Sequence, residues 1–203
     1  MNDHLHSLLS LAEFKAINGV DDRDDAMSRY CLITATYSIE QYCHRRILKK
    51  KRVEYLEFTG DYGFPGYCVP LHEYPVREIL AVYRSHAFKQ PELVEPEFYK
   101  TVPDCADFED VPFCLFIAPG LRMVRGRSAL KIHYWAGYRT GEVPADLAAA
   151  CMELAAWNMA RFRGKKIGVT GAVQGKGDGG EHLEMSMPEN VRLLLEPYRR
   201  RMI

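Results

Sequence analysis

The stretch that decides the fold is KIHYWAGY at residues 131–138, followed by a short polar turn and VPADLAAA at residues 143–150. The first part is rich in aromatic and β-branched residues that alternate in character, which predicts a strand. Gly137 lets the chain bend out of that strand. Pro144 favours a helix start, because its φ is preset and it has no amide hydrogen to leave unpaired. Asp146 adds negative charge where the helix dipole is positive. The chain therefore passes from strand to helix here.

Two helices are predicted before this stretch. Ser10 and Glu13 have the spacing of a capping box, and Asn18-Gly19 is a stop signal for the helix that it opens. Acidic residues at 21–25 then begin a longer helix. Three- and four-residue spacing gives the second helix one apolar face. We predict that this face consists of Met27, Tyr30, Ile33, Tyr37, Ile39, Tyr42 and Cys43.

Residues 52–140 change from helical spacing to alternation. Residues 52–58 alternate polar and apolar side chains, as a half-buried strand does, and the later strand candidates are joined by connections rich in proline, glycine and aspartate. We predict a small antiparallel β unit at 52–140, inserted between helical segments 1–49 and 142–163 and projecting from a helical bundle. Residues 1–163 would form one domain. The predicted fold class is α+β, mainly α.

The C-terminal part is predicted to be a flexible arm. Helical spacing continues from Leu147 through Cys151, Leu154 and Trp157 to about residue 163. Residues 164–187 are glycine-rich and polar, which predicts a flexible loop. The last segment, residues 188–203, is either a frayed helix end or a docking helix. The docking helix would be mobile in the isolated subunit and become ordered only against a partner. Its apolar residues are Val191, Leu194, Leu195 and Tyr198, and arginines follow them.

Composition narrows the class of protein. The chain has 203 residues, 27 basic and 27 acidic, and a formal net charge of zero. Strong general binding of DNA normally needs a basic excess or a basic face, so only passing contact with DNA is expected. Six cysteines occur without a Cys-x-x-Cys pair, and neither a secretory signal nor a membrane-length apolar run is evident. We expect reduced thiols, several of them packed as small apolar groups, in a protein made in a cytoplasm.

Several motifs match part of the pattern of a catalytic, nucleotide or metal site. Residues 175–180 match a Gly-x-Gly-x-x-Gly pattern but do not lie between a strand and a helix, so a flexible loop is favoured over a dinucleotide site. His4 and His6 lack the further ligands of a metal site, and the acidic run at 104–110 lacks EF-hand spacing. His133 has no nucleophile motif to act on. No catalytic residue, cofactor or metal is predicted.

Aromatic residues at the end of the predicted strand suggest two alternatives. Tyr134, Trp135 and Tyr138 have the character of a platform on which bases stack. The surrounding sequence supplies no basic groove, which favours packing in the core or at a subunit interface instead.

Taken in order, several segments resemble the tailed-phage head–tail connector family, also called head-completion or adaptor proteins. The resemblance extends over most of the chain, and one element departs from it: residues 43–47, Cys-His-Arg-Arg-Ile, lack the usual small residue before the two arginines. The matching segments are LAEFK at 11–15, the acidic step at 21–25, LHEYPVREI at 71–79, YWAGY at 134–138, VPADL at 143–147 and PENVRLLLEPYR at 188–199.

The resemblance implies a structural protein of the virion neck rather than an enzyme. Copies would form a ring, expected to be twelve-fold, below the portal protein. The ring would extend the DNA channel, touch the passing DNA without specificity, and bind the stopper (head-closure) or tail proteins. The alternatives are another neck or tail-completion protein such as a tail terminator, or a small nucleotide-binding enzyme using the loop at 164–180. The residues expected to contact the portal or a neighbouring subunit are Arg192, Leu195, Tyr198, Arg199 and Arg200.

Overall fold

The chain forms two compact units. The computed structural model describes residues 6–58, 67–85, 90–103, 112–119, 121, 126–164 and 187–199. Unit 1 consists of Met1–Arg45 together with Arg139–Ile203, and unit 2 is Arg46–Tyr138. Within the described ranges, the α-helices belong to unit 1 and the strands to unit 2.

Unit 1 is built from four described α-helices. Helix α3 contacts both α2 and α4, and α1 contacts α2. The predicted capping box of α1 is confirmed, since the Glu13 amide donates to the Ser10 hydroxyl at 3.2 Å and the Ser10 amide donates to the Glu13 carboxylate at 2.8 Å. The helices are α1 (Leu11–Asn18), α2 (Asp25–Tyr42), α3 (Ala145–Arg163) and α4 (Glu189–Leu195), with 3₁₀ turns at Asp22–Asp24 and Glu196–Tyr198.

Helix α2 buries a face that overlaps only in part with the predicted one, since Ile39 and Cys43 are buried as predicted. Tyr30 and Tyr37 are 55% and 46% exposed. The prediction followed the largest apolar side chains, whereas small residues let α2 approach α3 closely. The Thr36 hydroxyl, for example, lies 3.8 Å from the Cys151 sulfur of α3. The buried residues of α2 are Ser28, Cys31, Leu32, Ala35, Thr36, Ile39 and Glu40.

Helix α3 largely follows its predicted pattern. Leu147, Cys151 and Leu154 are buried as predicted. Trp157 is only half-buried, and the Arg161 guanidinium stacks 4.5 Å from the centroid of its ring. The alanines of α3 complete its inner face, which explains how α2 packs closely against it.

Unit 2 contains two antiparallel sheets. One has four strands in the order β1-β7-β3-β4 and the other three in the order β2-β6-β5. The α+β class and the antiparallel pairing are confirmed, but the described strands hold about as many residues as the helices, so a mainly α fold is not confirmed. The strands are β1 (Lys50–Phe58), β2 (Tyr67–Pro70), β3 (Val76–Arg84), β4 (Glu92–Val94), β5 (Tyr99–Pro103), β6 (Pro112–Ile117) and β7 (Gly126–Ala136).

The long strand β7 organises the core of unit 2. Its even-numbered residues from Leu130 to Ala136 are buried, while Lys131, His133 and Trp135 point to the opposite face. This alternation is what the opening stretch predicts. The buried face packs with residues of the second sheet, Leu115 and Ile117 of β6 among them, in one apolar cluster.

Gly137 ends β7 in a confined backbone site. Its φ is +100°, and a Cβ there would lie 2.6 Å from the Ile47 carbonyl oxygen and 2.7 Å from backbone atoms of Leu48. The Gly137 amide donates to the Pro75 carbonyl at 3.0 Å, and the Tyr138 amide to the Ile47 carbonyl at 2.8 Å. Glycine is therefore needed here both for its conformation and for its small size.

Candidate interaction surfaces

The C-terminal helix is packed within unit 1. Val191 and Leu195 are both fully buried, whereas Leu193 is 68% exposed. Helix α4 contacts α3, and the Asn190 amide donates to the Glu153 carboxylate of that helix. In the described part, then, the predicted arm has a partner within its own chain.

The turn after α4 is fixed by polar contacts. The Tyr198 hydroxyl donates to the Asp146 carboxylate at 2.6 Å, and the Tyr42 hydroxyl donates to the Glu196 carboxylate at 3.0 Å. The Arg199 guanidinium lies 5.6 Å from the centre of the Tyr42 ring. These contacts join the start of α3 and the end of α2 to the C-terminal turn, so the segment to Arg199 has a defined position in unit 1.

Four of the five predicted interface residues lie within the described part of the chain. Leu195 is buried against unit 1, which corrects the expectation that the whole segment awaits an external partner. Val191 and Leu195 are covered within unit 1, where α4 contacts α3. Arg192, Tyr198 and Arg199 are partly exposed and remain candidates for contact with another protein. Arg200 and the glycine-rich residues 165–186 lie outside the described residues.

A polar cluster in unit 2 contains a buried carboxylate. Glu54 of β1 is 9% exposed and accepts a hydrogen bond from the Tyr134 hydroxyl at 2.6 Å. The His72 amide donates to the same carboxylate at 3.2 Å, and the His72 Nδ1 is also in contact with it. Burial, followed by the hydrogen bond to Glu54, raises the pKa of Tyr134 well above its usual range. The cluster joins β1 to β7 and to the turn at His72, and this explains why Glu54 is tolerated in a core.

The opposite face of the four-stranded sheet is partly exposed, and we call it the open face. Tyr55, Lys131 and Tyr83 lie side by side across β1, β7 and β3. The Lys131 ammonium is 5.7 Å from the Tyr55 ring and 5.9 Å from the Tyr83 ring. Lys51 lies opposite Trp135. The face therefore combines aromatic rings with positive charge.

The pKa of His133 is affected by the positive charge of the open face. It is half-buried, its ring centroid is 5.5 Å from that of Tyr83, and no hydrogen-bond partner for its Nε2 lies within the described residues. Burial lowers the pKa of His133, and the nearby charges of Lys131 and Lys51 lower it further.

Sequence reasoning missed the lysines of the open face. The predicted aromatic cluster is divided by the strand, because Tyr134 is fully buried and Tyr138 is 9% exposed, while Trp135 lies on the other face. The Lys49 ammonium is 5.4 Å from the Trp135 ring. Lys49 and Lys51 lie far from β7 in sequence, so only the β1–β7 register brings them to it. Alternation within β7 was the signal that could have separated Trp135 from Tyr134.

The described cysteines are free thiols. Four are buried, namely Cys31, Cys43, Cys114 and Cys151, and Cys68 is exposed. Burial raises the pKa of Cys31, Cys43 and Cys151 to about 11 in each case. A protonated, enclosed thiol is a poor nucleophile, so these residues pack as small apolar groups, as predicted. Cys105 lies outside the described residues.

Other predicted motifs lie largely outside the described part of the chain. These are His4, the acidic run at 104–110 and the Gly-x-Gly-x-x-Gly pattern at 175–180. His6 is described, and its Nε2 lies 3.3 Å from the Glu40 carboxylate. Among the described residues, no group of three or more His, Cys, Asp or Glu side chains is placed to hold a metal ion. Within the same ranges, no helix has the length and apolarity to cross a membrane.

Comparison of the whole chain with solved structures gives consistent matches. The neck of an empty gene transfer agent (GTA) particle, computed with C6 symmetry, contains a chain that is 22% identical, with a TM-score of 0.57. The neck of the native particle, computed with C12 symmetry, gives 22% identity and a TM-score of 0.53. Each match covers 97% of this chain and 91% of the other. The chain shares the fold of a protein in these necks.

A third match agrees with the first two. A chain from the virion of the native gene transfer agent particle is 22% identical, with a TM-score of 0.55 and the same coverage. No protein-family model and no curated protein sequence matches the chain. The likeness is therefore one of fold, and it extends through both units.

Proposed function

We propose that the chain is a structural head–tail connector (adaptor) protein of a tailed phage, a prophage or a related particle. It forms a ring under the portal, extends the DNA channel and provides the attachment site for stopper or tail proteins. The observation that carries the proposal is the shared fold with neck chains over 97% of this chain. The sequence segments that resemble the connector family, and the order in which they occur, support the same function independently.

A ring of identical copies is part of the proposal. The matched necks were computed with C6 and C12 symmetry, which supports a homo-oligomeric ring with twelve copies in the particle. A ring interface is heterologous, so one surface of each copy must fit a different surface of the next. In this setting the chain is a component of the virion neck, and DNA passes through the ring with non-specific contacts.

The portal contact is proposed to include Arg192, Tyr198 and Arg199. All three are partly exposed on one short segment of unit 1. The Arg199 guanidinium is 3.9 Å from the carboxylate of Glu196, an exposed pair of small energetic value. An arginine held this weakly is available to a carboxylate of another protein.

Deletion of the gene in a particle-producing strain tests the proposed function. The expected result is DNA-filled heads without tails, together with free tails of normal length, and restoration of complete particles by the wild-type gene. Tails of uncontrolled length would instead favour a tail terminator. Complete particles in the deletion strain would refute both functions.

A charge reversal with a matched control tests the portal contact. Arg199→Glu should reduce the yield of complete particles in the complementation assay. Arg139→Glu is the control, because Arg139 is also exposed and also pairs with a carboxylate three residues away, that of Glu142 at 3.5 Å. Equal yields from the two variants would remove Arg199 from the proposed contact.

A further inference from the structure

The two edges of the four-stranded sheet differ in charge. Strand β1 forms one edge and β4 the other. Lys50 and Lys51 are exposed on β1, whereas Glu92 on β4 is followed by exposed Glu95 and Glu97. With strands about 4.8 Å apart, these edges are separated by roughly 14 Å. The β1 edge is therefore basic at its start, with an exposed Glu57 near its end, and the segment at and after β4 is acidic.

Most of these charges have no partner within the described part of the chain. The described residues contain no ion pair for Lys50, Lys51, Glu95 or Glu97. Glu92 differs, because the Arg84 guanidinium contacts its carboxylate at 2.9 Å. The edge charges are thus available to another molecule.

Exposed apolar side chains accompany the charges at both edges. On β1, Val53 is 48% and Tyr55 is 58% exposed, and on β4, Leu93 is 64% exposed. All three belong to the open face. Val53 pairs with His133 and Tyr55 pairs with Lys131, and Leu93 pairs with Tyr83. An apolar and aromatic centre with a charged rim is the composition of protein interfaces.

We propose that the β1 edge of one copy binds the β4 edge of the next copy in the ring. This contact rests on the proposed function only in assuming that the copies form a ring. Lysines of β1 face Glu95 and Glu97 of the neighbour, while Tyr55 and Val53 cover the neighbour's Leu93. Because the edges are opposite in charge and lie on opposite sides of one sheet, repetition of the contact is head-to-tail.

The chain's charge balance favours a second copy over DNA. Both charges of the contact are present on this chain, whose net charge is zero. The exposed Leu93 and Val53 gain from apolar burial and offer nothing to a phosphate backbone. Lysine along an exposed edge also prevents indiscriminate strand pairing, so an acidic partner edge makes the pairing selective.

Charge reversal with rescue tests the proposal on the full chain. Sedimentation velocity over a concentration series would compare wild type, Lys50→Glu/Lys51→Glu and Glu95→Lys/Glu97→Lys. Each double variant should weaken self-association about tenfold or more, and an equimolar mixture of the two should restore it to within about threefold, because a reversed β1 edge then meets a reversed β4 edge. Lys100→Glu, an exposed reversal on the other sheet, should associate like wild type.

Photo-crosslinking locates the contact directly. Benzoylphenylalanine at position 55 of the concentrated full chain should crosslink to residues 92–97 of another copy. The same probe at position 30 is the control, because Tyr30 is equally exposed but lies on α2. No crosslink from position 55, or one to a different segment, overturns the proposal.

The outcomes distinguish the edge contact from the proposed function. If the chain is needed for tail attachment but mixing the reversed variants restores nothing, the edge contact is wrong and the function stands. If reversal and rescue succeed but deletion leaves complete particles, the function is wrong and the contact stands. If lysine reversal abolishes binding of duplex DNA and leaves self-association unchanged, the open face is a nucleic-acid surface and the proposal fails.

Discussion

Replacing Gly137 with alanine should destabilise unit 2 far more than a glycine substitution usually does. Two separate costs arise at this position. The first is conformational, because an L-residue at φ +100° carries a strain of about 1–2 kcal/mol. The second is steric, because the new Cβ would lie 2.6–2.7 Å from backbone atoms of Ile47 and Leu48. Neither neighbour can avoid the clash by a rotamer change, since the atoms concerned are main-chain atoms.

The expected magnitude follows from these contacts. Overpacking that forces the backbone to shift costs about 1–3 kcal/mol. A shift here also lengthens the hydrogen bond from the Tyr138 amide to the Ile47 carbonyl, now 2.8 Å, at a cost of about 1 kcal/mol. The three costs together predict a loss of about 3–6 kcal/mol in the free energy of unfolding. Because small domains have stabilities of about 5–15 kcal/mol, a substantial part of the stability of unit 2 is at risk.

Gly126→Ala is the matched control. Gly126 is also in unit 2 and also has a positive φ, +152°, but no described residue lies within 4 Å of a Cβ placed there. Only the conformational cost applies, so the loss should be at most about 1–2 kcal/mol. The difference between the two variants, about 2–4 kcal/mol, then measures the contact with residues 47–48.

Urea unfolding followed by tryptophan fluorescence provides the assay. The chain has two tryptophans, one in each unit, so a Trp157→Phe background leaves Trp135 as a reporter for unit 2. An unchanged slope with a lower midpoint indicates a loss of stability. Losses that agree within about 0.5 kcal/mol for the two alanine variants would refute the steric argument. Absence of a folded baseline for Gly137→Ala alone would support it.

Further predictions concern α4, the buried polar cluster and the thiols. Leu195→Ala should cost about 2–5 kcal/mol in urea unfolding followed by Trp157 in a Trp135→Phe background, whereas the exposed Leu193→Ala should change stability by less than about 0.5 kcal/mol; equal effects would mean that α4 is not part of the core. Tyr134→Phe should cost about 1–3 kcal/mol because Glu54 loses its hydroxyl donor, whereas Tyr55→Phe should have little effect. Alkylation at pH 8, followed by peptide mapping, should show modification of Cys68 well before that of the buried thiols. Rapid modification of Cys31, Cys43 or Cys151 would contradict the burial of that residue.

Alternation along the chain predicted part of the fold. The strand ending at Gly137 and the helix after Pro144 occur where the opening stretch places them. The capping box at Ser10 was readable because its two partners are three residues apart. Local patterns of this kind need no knowledge of distant residues, and sequence reasoning is strongest there.

Long-range packing decided what the sequence did not reveal. The helical spacing of α2 was recognised and Ile39 is buried as predicted, but Tyr30 and Tyr37 are exposed. They were predicted to be buried because a tyrosine ring offers more apolar surface than Ser28 or Ala35, which are buried instead. Close approach of two helices favours small side chains at the contact. The sequence of α4 likewise shows an apolar side without showing that α3 covers it, and hence the segment was predicted to be a free arm.

The open face gives the clearest example of how register creates a surface. Residues of β1 and β7 that lie about 80 positions apart in the chain become neighbours only through antiparallel pairing, as with Lys51 and Trp135. The net charge of zero gives no indication that charges of opposite sign are separated across the sheet. Lysines lie at the start of β1, and acidic residues follow β4 at the far edge. A monomer gains little from that separation, because charges roughly 14 Å apart in water interact weakly at physiological salt. A ring gains from it at every interface, because the basic edge of each copy can meet the acidic edge of the next. For that reason the charge pattern of this sheet is better explained by repeated self-assembly than by the needs of a single folded chain.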